Sequence, residues 1–168
     1  MALNAQILLS ILAHESSSGD ISQTLRATPA TYSLALADGT GANQAQVVWS
    51  ESGTISTGSS GEIDLTALAD DRGTVTMTSL KTIAFKNVSA QAPINLDQPQ
   101  SGAWETGPYG AGAVVIPPGG MALFVSPTAG GWPVAAGPQI IGMVNAAAFG
   151  SGLVAAYEII LIGEGTVT

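Results

Sequence analysis

The chain has no cysteine, a single histidine, and four Lys and Arg residues against twelve Asp and Glu. Without cysteine there is no disulfide, no thiolate metal ligand and no thiol nucleophile, so stability must come from packing or from partners. The lone His14 excludes a multi-histidine metal site. It stands beside Glu15 at the end of an apolar run and the start of a serine turn, with nothing nearby to suggest a partner nucleophile, and reads as a strand-end residue rather than a general base. The basic residues Arg26, Arg72, Lys81 and Lys86 form no cluster, and the net charge is −8 with a pI near 4.1. Nucleic acid is therefore not an expected partner, because such binding rests on phosphate neutralisation by grouped cations, and an anionic membrane is disfavoured for the same reason. Charged residues make up only 10% of the chain, where a typical domain has about a quarter. Much of the outside is expected to be neutral Ser, Thr, Gly, Ala and Gln, or to be covered by other subunits.

Long apolar runs are also missing. The stretch from Ile7 to Ala13 falls far short of the roughly 18 residues that a membrane span needs. No Lys or Arg precedes Arg26, so the basic start of a secretory signal is lacking and no targeting segment is expected. Ile7, Leu9, Ile11 and Ala13 share one face at period two, which predicts a strand.

What the chain does have is 46% apolar residues in short runs, with 21 glycines and 9 prolines between them. Ala113 to Ile116, Met121 to Val125, Gln139 to Val144 and Leu153 to Ile162 are each too short and too heavily punctuated for helices. The last, rich in β-branched residues and closing on YEIILIG, is expected to be a central strand buried on both faces. Thr31 to Ala37, Gln46 to Glu51 and Leu80 to Asn87 also read as strands, the lysines of the third pointing to water. Leu65 to Asp71 is the one candidate for a short helical turn. Turns recur every eight to twelve residues or so, which predicts an all-β fold: an antiparallel β-sandwich, jelly-roll-like, of about nine to eleven short strands. Residues 1–168 are expected to form one domain, with an N-terminal arm over 1–20 and an irregular loop over 89–112. The expected core includes Val47, Trp49, Leu123, Val125, Ile140, Ile159 and Leu161.

Candidate sites are few. Glu62 and Asp64 lie two apart and share a strand face, with Asp70 and Asp71 six residues on; paired carboxylates suit glycoside hydrolysis or calcium, yet they are common on solvated strands. The loop DGTGAN, Asp38 to Asn43, lacks the spaced carboxylates of a calcium loop and reads as a turn. GPYGAG, Gly107 to Gly112, has no following Lys or helix, so a phosphate-loop reading fails. No cofactor or metal is expected. Trp49 reads as core, whereas Trp104 and Trp132, in Gly- and Pro-rich loops, are expected to be exposed or docked on a neighbour. With Tyr109 they form the candidate partner-binding set.

The motifs LADGTGANQAQVVWSESGTI, GEIDL, IPPGGMALFV (116–125) and YEIILIG follow one another in an order that resembles small β-sandwich structural proteins of tailed-bacteriophage and prophage virions. The likeness spans residues 31–168. In that group a DGTGANQA-like loop precedes a strand ending in an aromatic and Ser, and a PGG turn precedes an apolar strand. The resemblance implies a non-enzymatic decoration or cement protein on the outer surface of the head, made in the host cytoplasm. Its partners would be the major capsid protein and copies of itself, as a homo-oligomer with a trimer preferred. No catalytic residues carry over, and the 89–112 segment and the DDRG stretch depart from the pattern. The alternatives are a tail or head-tail component, or a jelly-roll carbohydrate-binding module with tryptophans as its sugar platform.

Overall fold

The computed structural model describes residues 2–11, 14–16, 24–26, 30–97, 102–109, 112–147 and 151–168, with 14–16, 24–26 and 30 described by backbone alone. The strands in chain order are β1 (Ala5–Ile11), β2 (His14–Ser16), β3 (Thr24–Arg26), β4 (Ala30–Asp38), β5 (Gln44–Ala45), β6 (Val47–Ile55), β7 (Ser60–Asp64) and β8 (Leu68–Asp70). They continue with β9 (Gly73–Asn87), β10 (Ile94–Asp97), β11 (Val114–Ile116), β12 (Met121–Val125), β13 (Trp132–Pro133), β14 (Ile140–Asn145) and β15 (Ala155–Val167). The described residues hold fifteen strands against the nine to eleven expected, of which β2, β3, β5, β8, β11 and β13 are only two or three residues long.

The fold is all-β with several antiparallel sheets. One sheet runs β12-β9-β15-β6, with β8 and β13 also paired to β9, and a second runs β11-β10-β14-β7. Their facing sides share one core in a sandwich-like arrangement. Trp49, Val75, Met77, Ile83, Phe85, Tyr157, Ile159 and Leu161 come from the first sheet, and Ile63, Ile94, Leu96, Ile116, Ile141 and Met143 from the second. At roughly 1.5–3 kcal/mol for each large apolar side chain fully buried, this layer is the main source of stability.

The longest strand, β9, bends around two bulges. Ile162 pairs with Thr82 but Gly163 with Leu80, leaving Lys81 as an extra residue; Glu164 pairs with Ser79 but Gly165 with Met77, leaving Thr78 extra. Each extra residue shifts the inward phase by one, so Val75 and Met77, then Leu80, then Ile83 and Phe85 all face the core. The close approach opposite the bulges requires glycine. A Cβ on Gly163 would lie 2.1 Å from the Ser79 carbonyl oxygen, and one on Gly165 would lie 2.3 Å from that of Thr76.

Several expectations are corrected. The turn region 65–71 holds no helix: Asp64 accepts hydrogen bonds from the Thr66 amide (2.9 Å) and hydroxyl (2.7 Å), which closes a tight turn leading into β8. The 89–112 segment is not wholly irregular, since β10 lies inside it and pairs with both β11 and β14. Only Lys86 of the two lysines in β9 faces water; Lys81 is fully buried. Strand β15 is buried on both faces only at its middle. Tyr157, Ile159 and Leu161 point into the core, Glu158 and Ile160 stay exposed, and Ile162 is buried on the opposite side. Of the expected core, Val47, Trp49, Ile159 and Leu161 are buried, whereas Ile140 is half-buried in β14 of the second sheet, and Leu123 and Val125 are half-buried on the outer face of the first.

That outer face carries the N-terminal element. Strands β1 and β4 form an antiparallel ribbon, extended in chain order by the pair β2 and β3, and β5 adds to β4 in parallel. The base of this ribbon forms a second apolar cluster in which Ile7, Leu36 and Ala45 cover Ile162, with Leu3, Ala5, Leu34, Val48, Leu123 and Val125 packed around them.

Candidate interaction surface

The three aromatic candidates are brought together, but by the core rather than by solvent. Trp104 is fully buried, so the expected exposure is corrected: its indole Nε1 donates to the Pro133 carbonyl at 2.8 Å, and its backbone amide bonds to Ile140 at 3.3 Å. Gly107 makes room for the ring, since a Cβ there would lie 2.7 Å from Trp104 Cε3. The glycine that opens GPYGAG therefore serves an aromatic ring and not a phosphate; residues 110 and 111 of that motif lie outside the described residues. Trp132 is half-buried on β13 beside β9, and Tyr109 packs at a tilt on Phe124 with centroids 6.2 Å apart. Burial, and secondarily the charge of Asp97, pushes the Tyr109 phenol well above its usual range. No sugar platform is shared by Trp104 and Trp132, because one of the two rings is inside.

The acidic candidates serve local structure. Burial alone would raise the Asp64 carboxyl, but hydrogen bonds from the Thr66 hydroxyl and from the Thr66 and Gln139 amides hold it below its usual value. Asp70 is paired with Arg72, whose Nε lies 2.8 Å away, and the Arg72 hydrogen bonds lower its carboxyl to about 2. Arg72 also donates to the Val48 carbonyl at 2.9 Å, tying the β8–β9 turn to β6. The DGTGAN loop is closed by Gln44, whose Oε1 accepts from the Gly41 amide at 2.7 Å, while Asn43 takes the left-handed conformation at φ 56°. His14 is in β2, where its backbone opposes Arg26. Among the described residues no group of three or more His, Cys, Asp or Glu is arranged to hold a metal, and no helix is long and apolar enough to cross a membrane.

Sequence reading missed the surface that the fold leaves open. Directly opposed residues of an antiparallel pair share a face, so Ala5 with Leu36, Ile7 with Leu34 and Leu9 with Tyr32 lie on one side of the ribbon. The first two pairs are the ones that pack on the body. The same face then continues outward, with Leu9 42%, Tyr32 43% and Ile11 57% exposed. The opposite side, Gln6, Ser33 and Ala35 with Leu8, is mostly polar or small. Period two put Leu9 and Ile11 on one face with Ile7, and what sets them apart is their exposure, 42% and 57% against 9% for Ile7.

The sheet under the ribbon is also half covered. Its outer face is built of cross-strand rows: Val48-Ile162-Thr82-Val125 beneath the ribbon base, then Ser50-Ile160-Ala84-Leu123, then Ser52-Glu158-Lys86-Met121. Beyond the covered row, Ile160 is 44% and Met121 63% exposed, and the one ion pair, Lys86 to Glu158, spans 3.6 Å. Ser50, Ser52, Glu158 and Ile160 line a shallow depression. Comparison of the chain with protein-family models and with curated proteins gives no match.

Proposed function

We propose that this chain is a non-enzymatic structural protein of a virion, a jelly-roll-like decoration or cement protein that binds the assembled head shell and stabilises it. The observation that carries the assembly part is the ribbon whose apolar face runs off its own body, since a two-stranded ribbon with one apolar side is marginal in water and is stabilised when another surface covers it. The virion part is supported by the succession of motifs from the DGTGANQA loop to YEIILIG. A chain with only 10% charged residues suits contacts made by packing and neutral hydrogen bonds. Stable docking on a shell needs on the order of 1,000 Å² of complementary surface, which the loops around 89–112 and the ribbon together are long enough to supply. The chain is a homo-oligomer in this reading, with three-fold symmetry the natural match to the axes of a shell lattice.

The test is binding of the purified protein to shells stripped of it, at about 0.1 M and about 1 M salt, since screening weakens charge pairs far more than apolar contacts. Binding at both is expected. No binding at either refutes the decoration reading, and electron microscopy showing a copy number that follows the tail instead of the shell lattice favours the tail component. The carbohydrate-binding alternative is disfavoured by the burial of Trp104.

A further inference from the structure

Among the described residues, one apolar half of the ribbon and one apolar half of the sheet face are left exposed. At the ribbon base Ile7 and Leu36 cover the row Val48-Ile162-Thr82-Val125. Further along the ribbon, Leu9, Tyr32 and Ile11 continue that covering face with nothing beneath them. Further along the sheet, the row Ser50-Ile160-Ala84-Leu123 continues that face, covered at its Leu123 end by the ribbon base and left open at Ile160, which is 44% exposed. Within one chain the two surplus halves do not meet, for both remain exposed. Each chain offers one of each, so a second copy supplies what the first lacks, in equal number.

We infer that the outer half of the ribbon of one copy lies across the uncovered end of the six-stranded sheet of another. Leu9 and Ile11 then rest on Ile160 and Ala84, in the depression lined by Ser50 and Ser52, and Tyr32 lies along the same face. The contact is heterologous, since ribbon meets sheet and not ribbon; repeated, it closes into a ring where its rotation completes a full turn and otherwise runs on as a filament, and a ring is the outcome expected here. Charge does not oppose it. The ribbon strands β1 and β4 carry no charged residue before Asp38, and the only charges on the described sheet rows, Lys86 and Glu158, neutralise each other. Compared with a foreign apolar partner, a second copy is favoured by continuity: the surface that the ribbon already grips at its base is the same face, one row over. The inference takes from the proposed function only that the ribbon is an assembly element, and stands whether or not the larger assembly is a virion.

The test uses the purified full chain alone, so its failure is separate from failure to bind shells. Sedimentation at protein concentrations from about 1 to about 100 µM is expected to give a closed oligomer, and Leu9→Asp with Ile11→Asp, or separately Ile160→Asp, to weaken association about 100-fold or more while thermal unfolding stays cooperative. Mixing the two variants, neither of which associates alone, is expected to yield a heterodimer, because the intact ribbon of one meets the intact sheet of the other. Absence of cysteine allows a second readout independent of these substitutions. Leu9→Cys mixed with Ile160→Cys is expected to oxidise to the mixed dimer in preference to either homodimer. A wild-type chain that is monomeric throughout overturns the inference. So does an Ile160→Asp variant that associates normally, or preferential Leu9→Cys homodimers, which would mean ribbon packing on ribbon.

Discussion

The Lys81 ammonium stands 2.9 Å from Oε1 of Glu164, joining the two longest strands at their bulges. The lysine side chain has no exposure, and its Nζ also donates to the carbonyl oxygens of Thr128 (2.6 Å) and Ala129. The approach to Glu164 is a charge contact off the line of a hydrogen bond, so the two carbonyls supply the directional bonds. One side chain thereby anchors the β12–β13 loop to the bend in β9.

Replacing that lysine leaves a largely buried carboxylate and two carbonyls without their donor. Lys81→Met is expected to lower unfolding free energy by about 3–5 kcal/mol, and Lys81→Met with Glu164→Gln to recover part of the loss, because no uncompensated charge remains. Urea denaturation of the three proteins measures both steps. A Lys81→Met chain as stable as wild type would show that the ammonium is not holding the loop.

At Gly163 an added methyl meets backbone, which cannot turn aside as a flexible side chain can. Gly163→Ala is expected to cost about 3 kcal/mol or more, since the bulge itself must shift. The control is Gly130→Ala, where nothing lies within 4 Å of the new Cβ and the change should stay within about 0.5 kcal/mol. Melting curves of the pair give the comparison.

Trp104 was the residue most open to misreading. Trp104→Ala is expected to cost about 3–5 kcal/mol through the cavity it leaves, with Trp104→Phe costing less by keeping much of the volume while leaving the Pro133 carbonyl short of the indole donor. Tryptophan emission should be correspondingly blue-shifted in the native wild type. Destabilisation at this position also means that loss of any ligand binding in Trp104→Ala carries no information about a sugar site, and Trp132 is the position to probe instead.

Acid should erode the turn that Asp70 and Arg72 close. The Asp70 carboxyl titrates near 2 in the folded chain against an ordinary 3.8, so its pairing with Arg72 stabilises the fold fully above about pH 4 and is lost as pH falls towards about 2. The stability difference between wild type and Asp70→Asn, followed by urea denaturation from about pH 6 downward, is expected to narrow across that interval. A difference that stays constant would place the stabilisation elsewhere.

The alternation in Gln46 to Glu51 and Glu62 to Leu65, the Ile- and Val-rich run before Gly163, and the Gly and Pro breaks between runs made an all-β chain legible without coordinates. Period two says which residues share a face, and it placed Val47, Trp49, Ile159 and Leu161 inside. It does not say whether anything lies over that face, which is why Leu9 and Ile11 read the same as Ile7. It also fails silently at bulges. In β9 the inward phase changes at Thr78 and again at Lys81, so only Leu80 to Asn87 of a longer continuous strand read as one, and a lysine beside apolar residues read as solvated. Trp104 gave no pattern at all, because a single ring in a glycine-rich loop has no periodicity and its pocket is made by residues some thirty positions away.

Gly163 and Gly165 also act as a vernier on the register of the two longest strands. A slip of two residues keeps every side chain of β15 on its proper face, so apolar patterning alone would not penalise it. The close approaches at the Ser79 and Thr76 carbonyls penalise it in either direction: one slip brings Leu161 against Ser79, the other brings Val167 against Thr76, and each carries a Cβ where none fits. Pairing of β9 with β15 is thus checked at two points spaced like the error itself, and a misaligned pairing is penalised by backbone sterics whatever the side chains on its faces.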